Sequence, residues 1–244
     1  MIIMKKNVLL SLAMFAAGTL LAADASPKDD VTSAAAALSS QPSYSWHTAV
    51  DAGGGGRFRP GPVDGKTEKG GYTTLTMSFN DNTTEVVMQG TNAAVKTPDN
   101  GWQSAAEIMQ DDSGGGPNPA RFAVFMTRGF KTPADQAAAL VTQAKDLTAG
   151  ANGISGDLTE AGAKELLAFR RRGGNGDGPT VSDAKGTVTF WITDGKLVKF
   201  QTHVTGTVSF NGNDRDVDRT TTTEIKDIGA TKVEVADDAK KKLQ

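Results

Sequence analysis

Residues 186–226 read GTVTFWITDGKLVKFQTHVTGTVSFNGNDRDVDRTTTTEIK, and this stretch decides the fold. From Thr187 onward, apolar side chains alternate with threonines at period two, which predicts a half-buried β-strand. Asp194-Gly195 and Asn211-Gly212 are strong signals for tight hairpin turns, and the alternation continues between and after them. The four threonines at 220–223 favour a further strand because β-branched side chains suit a pleated surface. The stretch therefore predicts three long antiparallel strands.

Shorter strands are predicted on both sides of this stretch. Residues 43–50 alternate as one half-buried strand. Residues 72–79 and 83–90, joined by Asn80-Asp81-Asn82, predict a β-hairpin because turn residues separate two alternating runs. The remaining expected elements are short strands at 93–97 and 232–235 and a charged tail helix at 236–243.

The middle of the chain has helical spacing. Thr132-Pro133 offers an N-cap threonine and a proline at the first helical position, and apolar residues then recur every three or four positions until Gly150. A second helix is predicted over 160–171, with Thr159 as its cap, and a short helix is predicted from about Pro119. Helices grouped between runs of antiparallel strands predict an α+β fold.

The first 25 residues have the three parts of a signal peptide. Lys5 and Lys6 form a basic start, residues 8–21 form an apolar run, and Ala23-Asp24-Ala25 gives the small-x-small pattern at which signal peptidase cuts. The apolar run is shorter than the about 20 residues that a membrane span needs. The chain has no cysteine, so it cannot carry the lipid anchor of a bacterial lipoprotein. We expect an exported, soluble, periplasmic protein that starts near Ser26 and is not lipid-anchored.

Composition limits the remaining possibilities. We expect a weakly ordered leader over 26–42, then a single domain over 43–244 with Gly-rich loops near 53–62, 113–119 and 173–179. The net charge of −2 gives no reason to expect nucleic acid or an anionic membrane as the main partner. With two histidines and no cysteine, we expect neither a metal nor another cofactor.

Several short patterns in the chain match those of a known family. They are the hairpin VTFWITDGKLV at 188–198, Asp227-Ile228-Gly229, Val233-Glu234-Val235, and the short strand at 94–97 that precedes Gly101-Trp102. In these patterns the sequence resembles the lipoprotein-carrier-like family of the LolA, LolB and LppX/LprG proteins. It departs from the family's lipoprotein members by lacking their anchoring cysteine and by carrying long Gly-rich insertions.

The resemblance covers roughly residues 43–243 and implies a half-open antiparallel β-barrel with helices packed on its concave face. Members of the family hold acyl chains or lipidated partners in the apolar interior. The resemblance thus implies an apolar ligand, either a lipid or a lipoprotein, bound without chemical turnover. By alternation, the side chains expected to line the cavity are Leu75, Met77, Phe79, Met88, Phe190, Ile192, Phe200, Val208 and Phe210.

Two alternatives remain open for the same residues. The apolar face could pack against the helices as a filled core, and the domain would then be an interaction or sensor module with a transient envelope protein partner. An enzyme would need titratable groups clustered in a cleft. His47 and His203 are isolated on strands and have no nucleophile pattern near them, so we expect no catalytic residues.

Three acidic residues near the end of the long β stretch raise the question of a calcium site. Asp214, Asp216 and Asp218 alternate along a strand and could point the same way. An EF-hand loop requires glycine at the position that Arg219 occupies. A solvated charged face, with Arg215 and Arg219 neutralising the acids, is therefore the favoured interpretation.

Overall fold

The computed structural model contains one open sheet of 11 antiparallel strands and six helices in its described part. The structure describes residues 26–53, 60–79, 82–110, 118–168, 179–210 and 212–244. At Pro60, Phe79, Asn82 and Phe210 it describes the backbone alone. The expected signal peptide, residues 1–25, lies outside this part.

The strands form two successive antiparallel runs that meet in the middle of the sheet. Their spatial order is β6-β5-β4-β3-β2-β1-β11-β10-β9-β8-β7. The first strand of the chain therefore pairs with the last one. The bounds are β1 Ser43–Ala52, β2 Pro60–Glu68, β3 Thr73–Phe79, β4 Asn82–Gln89, β5 Asn92–Thr97, β6 Gly101–Ser104, β7 Thr148–Gly150, β8 Gly153–Asp157, β9 Thr180–Thr193, β10 Lys196–Phe210 and β11 Asn213–Lys226.

The turns of the long hairpins lie where the turn residues of the sequence predict them. Asp194 and Gly195 have φ of 51° and 72°, the left-handed values that a two-residue type I′ turn requires. Gly212 has φ of 74° at the next turn, while Asn211 lies outside the described residues. In the central pairing, Thr48 of β1 lies opposite Thr223 of β11, and their hydroxyl oxygens are 3.0 Å apart.

Most helices begin at a residue that caps them. The side chains of Ser26, Asn118, Thr132 and Thr159 each accept a hydrogen bond from a backbone N–H of the first helical turn, which satisfies donors that have no partner inside the helix. The helix bounds are α1 Pro27–Ser40, α2 Ala105–Gln110, α3 Pro119–Thr127, α4 Pro133–Gln143, α5 Glu160–Leu167 and α6 Asp237–Lys241.

The sheet has two unlike faces. We call the one that packs against α1, α3, α4 and α5 the helix face; its side chains, such as Leu75 and Phe190, share one buried core with helix residues such as Val31 and Leu140. The other, which we call the opposite face, carries mostly polar and charged side chains. A small second core, formed by Val87, Ala94, Ala239 and Leu243, joins the end of the chain to that face.

The expectation of a weakly ordered leader over residues 26–42 is wrong, because residues 27–40 form α1. Ser26 and Asp29 make a reciprocal capping box at its start, and Val31, Ala34, Ala35 and Leu38 are buried. The run of alanines in this segment is a helix face in contact with the core. Its role could not be read from local sequence, since the segment's low hydrophobicity suits an exposed leader equally well.

Other differences concern strands that have no alternating pattern. The loop expected near 53–62 gives way at Pro60 to β2, whose register with β3 shifts between Pro60 and Val63, an irregularity of the kind that lets proline enter a sheet. The hairpin of β7 and β8 was not predicted either. Residues 232–235, expected as a strand, pair with no strand in the described part.

The remaining loop and helix predictions reach the limits of the described residues. The Gly-rich loops expected near 113–119 and 173–179 lie outside them except for residues 118, 119 and 179; α3 begins at Pro119 and β9 at Thr180. The second predicted helix begins at residue 160 as expected but ends at Leu167, because Ala168 already has extended backbone angles; its predicted end at residue 171 is wrong. No helix of the described part is long and apolar enough to cross a membrane.

Candidate functional site

The predicted cavity residues lie mostly on the helix face, and they are buried. Leu75, Met77, Met88, Phe190 and Phe200 are each 7% exposed or less and belong to the main core. Ile192 and Val208 are half-buried and pack against the same core. Phe79 and Phe210 lie at strand ends, and their side chains are outside the described part.

The structure separates these residues into two groups. Leu75, Met77 and Met88 lie on β3 and β4, whereas Phe190 and Phe200 lie on β9 and β10, with ring centroids 6.5 Å apart. Three strands, β2, β1 and β11, run between the two groups. The seven of these residues whose side chains are described therefore form two parts of one long apolar face.

An aromatic stack, which the set of predicted residues omits, lies between these two groups. The Trp46 ring on β1 is 5.8 Å from the Tyr44 ring and 6.2 Å from the Phe130 ring, centroid to centroid. The alternation of residues 43–50 placed Tyr44 and Trp46 on one strand face, which was the available signal. Phe130 lies in the connection between α3 and α4, where no periodicity could have marked it.

A cleft of about 510 Å³ opens at one end of the helix face, beside this stack. Met88, Tyr44 and Phe130 give it an apolar floor, while Thr67 and Thr73, whose hydroxyl oxygens are 2.8 Å apart, add a polar strip. Its rim is formed by Ser39, Gln41, Glu68, Lys69, Gly70, Gly71, Gln89, Gly90, Thr132 and Asp135.

Tyr44 holds the helix layer at this cleft. Burial raises the pKa of its hydroxyl, and hydrogen bonds with the Thr132 side chain and the Ala134 backbone oppose that rise. The Tyr44 side chain thus joins β1 to the first turn of α4, where Thr132 also donates a 2.7 Å hydrogen bond to Asp135. A tyrosine with an apolar ring and a bonded hydroxyl suits the boundary between a core and an opening.

A larger groove, of about 1020 Å³, lies on the opposite face beneath residues 230–236. Its lining mixes charged side chains, among them His47, Asp64, Glu85 and Lys232, with apolar ones such as Val87 and Trp102. Acyl chains would leave these charges without water. Although the groove is larger than the cleft, the cleft is the better candidate for an apolar ligand.

Each histidine has an acidic neighbour that the sequence pattern did not reveal. His47 Nδ1 is 2.7 Å from Asp64 Oδ1, and His203 Nε2 is 2.8 Å from Asp218 Oδ1. Both partners come from adjacent strands, so the pairs depend on register. All four side chains are more than a third exposed. Neither contact involves a hydroxyl nucleophile.

The three aspartates, Asp214, Asp216 and Asp218, are exposed. Arg219, which was expected to neutralise them, contacts α5 instead. Asp216 accepts a 2.8 Å hydrogen bond from Thr207, and Asp218 contacts His203. Arg219 extends instead toward α5, where its guanidinium donates to the Leu166 carbonyl and its buried Nε has no partner among the described residues. Burial lowers the pKa of Arg219. The expectation that it neutralises the aspartates is therefore wrong, because alternation sends it to the helix face.

Comparison with known proteins gives structural matches only. No family model matches the sequence, and no curated protein matches it. One similar solved structure is the lipoprotein LppX of Mycobacterium tuberculosis, with 13% identity over 88% of this chain and 100% of that chain, at a TM-score of 0.49. Another is LprF of Mycobacterium bovis, with 14% identity over 87% and 97% of the two chains, at a TM-score of 0.48.

Proposed function

We propose that this protein is an exported, periplasmic binding protein that holds an apolar ligand, a lipid or a lipidated protein, between its helix layer and the concave face of a half-open barrel. It releases the ligand unchanged. The observation that carries the proposal is the cleft beside Met88, Tyr44 and Phe130. Its volume of about 510 Å³ is within the range of about 300–1,000 Å³ typical of small-molecule sites.

The helix beside this end of the sheet is held by small side chains. α3 packs against β4 and β5, and its buried residues are Ala120, Ala123 and Val124. Hydrophobic stabilisation grows with the apolar area that is buried, so alanines hold a helix less firmly than leucines would. An acyl chain entering the cleft could displace α3 and gain contact with Met77 and Leu75.

A second candidate function rests on a specific observation, the completeness of the core. Leu75, Phe190 and Phe200 are 3% exposed or less, so helices already occupy most of the face that a ligand would contact. This observation favours an interaction or sensor module with a filled core and an envelope protein partner. The two functions differ in whether the helix layer opens for an apolar molecule.

Binding of a fluorescent fatty acid to the protein tests the proposal. Met88→Trp would place a larger side chain in the cleft and should lower the affinity for the probe by about tenfold or more, because the indole takes space that the acyl chain needs. Thr76→Trp is the matched control, because Thr76 is exposed and faces away from the core on the neighbouring strand. It should leave probe affinity unchanged.

Native mass spectrometry of protein purified without detergent gives an independent result. A retained mass that fragments to acyl chains would support the carrier function and identify its ligand. A bare polypeptide, together with no binding of the probe, would contradict the carrier function and favour the interaction module.

A further inference from the structure

Helix α3 has an outer side that is unusually apolar for a protein surface. Phe125 and Met126 are 45% and 43% exposed, and they are the large apolar side chains with the greatest exposure in the described part of the chain. The adjacent Ala123 and Val124 are buried against the sheet. The helix therefore places small residues inside and large ones outside, the reverse of what burial alone would favour.

Basic residues lie in α3 and directly after it. Arg128 and Lys131, which follow α3 in the chain, are exposed, and the Arg128 guanidinium carbon lies 5.3 Å from the centroid of the Phe125 ring. Residues 113–134 contain three basic residues and no acidic one. The third is Arg121, whose Nε donates to the Ile108 carbonyl at 3.4 Å. The protein as a whole has a net charge of −2, so this positive charge is local.

This combination matches an anionic lipid surface. Apolar side chains that enter the headgroup region, flanked by Lys or Arg, are the features with which surface helices bind membranes. A basic residue near such a surface contributes about 1 kcal/mol. Arg128 lies over the Phe125 ring, so its charge can stay at the headgroups while the ring is buried.

We propose that the surface formed by Phe125 and Met126 of α3 and by Arg128 and Lys131, which follow the helix, docks the protein on a membrane that contains anionic lipid. This surface is separate from the cleft, and its docking does not require a ligand. Phe130, which lines the cleft, follows two residues after Arg128. Docking would consequently bring the cleft close to the lipid surface.

Co-sedimentation with vesicles tests the docking surface. The chain starting at Ser26 is used because the apolar run at 8–21 would itself bind lipid, and it keeps every described residue. It should sediment with phosphatidylcholine vesicles that contain phosphatidylglycerol, less so with phosphatidylcholine alone, and less at high salt. Phe125→Ser with Met126→Ser should weaken binding to both kinds of vesicle.

Charge variants show whether the surface is specific. Arg128→Glu with Lys131→Glu should lower binding to anionic vesicles by about 30-fold or more, the equivalent of two basic contacts. Lys66→Glu with Lys226→Glu makes the same change in net charge on the opposite face and should have a much smaller effect. Equal losses from the two pairs would overturn the proposal.

Two further measurements distinguish vesicle docking from ligand binding in the cleft. If the unmodified chain fails to bind either kind of vesicle, the docking proposal is wrong, and the exposed side chains belong to a protein contact. Affinity for the fluorescent fatty acid in the absence of vesicles should be the same for the two charge-reversal variants as for the unmodified chain. A loss of probe binding without a loss of vesicle binding would instead count against the proposed separation of the two surfaces.

Discussion

Gly65 and Trp46 lie opposite each other on β2 and β1, and both face the helices. The Trp46 indole occupies the space where a side chain at position 65 would be. The glycine is thus needed for the close approach of a ring, since its φ is not in the left-handed region. Because the ring can lie directly on the Gly65 backbone, Trp46 also stacks on Phe130.

We expect Gly65→Ala to lower the free energy of unfolding by about 1–3 kcal/mol, because the added methyl group must displace the buried ring. Gly150→Ala is the control, since a Cβ there meets ordinary contact distances. Urea unfolding followed by tryptophan fluorescence measures both. Equal stability of the two variants would contradict the close packing of Trp46 on Gly65.

Glu107 joins the end of the chain to α2. Its carboxylate accepts hydrogen bonds from Lys242 Nζ at 2.6 Å and from the Ser104 backbone N–H at 2.7 Å. These contacts, the Lys242 one above all, lower the pKa of Glu107 from 4.5 to about 2. A carboxyl group with a lowered folded-state pKa stabilises the fold above its unfolded pKa and loses that contribution as the pH falls.

Glu107→Gln should therefore lower the melting temperature at pH 7 and have a smaller effect at each step from pH 4.5 toward pH 2. Lys242→Gln should show the same pH dependence, because it removes the main partner of the carboxylate. Thermal unfolding at several pH values measures the effect. A difference from the unmodified protein that stays constant down to pH 2 would argue against this contact.

At the scale of elements, α1 is an integral part of the core. It packs against α4 and β10, and its buried side lies in the same cluster as Phe200. Its capping box and its proline at the first turn define where it begins. Such caps contribute about 1 kcal/mol, so tertiary burial supplies most of the stability of α1.

Shortening a buried side chain of α1 should lower the free energy of unfolding. Leu38 is 3% exposed, and Leu38→Ala should destabilise the protein by about 2–5 kcal/mol, since the cavity adds to the lost transfer free energy. Thr32→Ala, on the exposed side of the same helix, should have little effect. Chemical denaturation distinguishes them. A near-neutral Leu38→Ala would revive the view that residues 26–42 are a dispensable leader.

At the scale of the whole molecule, the two ends of the described chain lie against different faces of the sheet. α1 covers the helix face, while the last residues cover Val87 and Ala94 on the opposite face. The Asn92 side chain donates a 2.7 Å hydrogen bond to the Leu243 carbonyl. Together the two ends shield both sides of a sheet whose first and last strands pair at its centre.

Leu243→Ala should lower the free energy of unfolding by about 2–4 kcal/mol, because Leu243 is 4% exposed and closes the second core. The neighbouring Gln244→Ala should be close to neutral, as that residue is exposed. Differential scanning calorimetry measures both variants. If Leu243→Ala were neutral, the end of the chain would be only loosely attached.

The long hairpins and most helix starts were predictable, because their signals are local. The turn at Asp194-Gly195 needs left-handed backbone values that these residues tolerate, and Thr132-Pro133 supplies its own cap and first turn. The candidate site was predictable only in part. Alternation gives the face on which Met88 lies, but it cannot say whether a helix covers that face.

The sequence by itself determined the α+β class, the β9–β11 hairpins and the apolar stripe of the helix face, since period-two alternation and turn residues act over a few neighbours. Only the tertiary structure decided the rest: that α1 enters the core, that Phe130 joins Tyr44 and Trp46 at a cleft, and that α3 turns Phe125 outward. These features depend on contacts between residues far apart in the chain, where the free energy of burial outweighs weak local preferences.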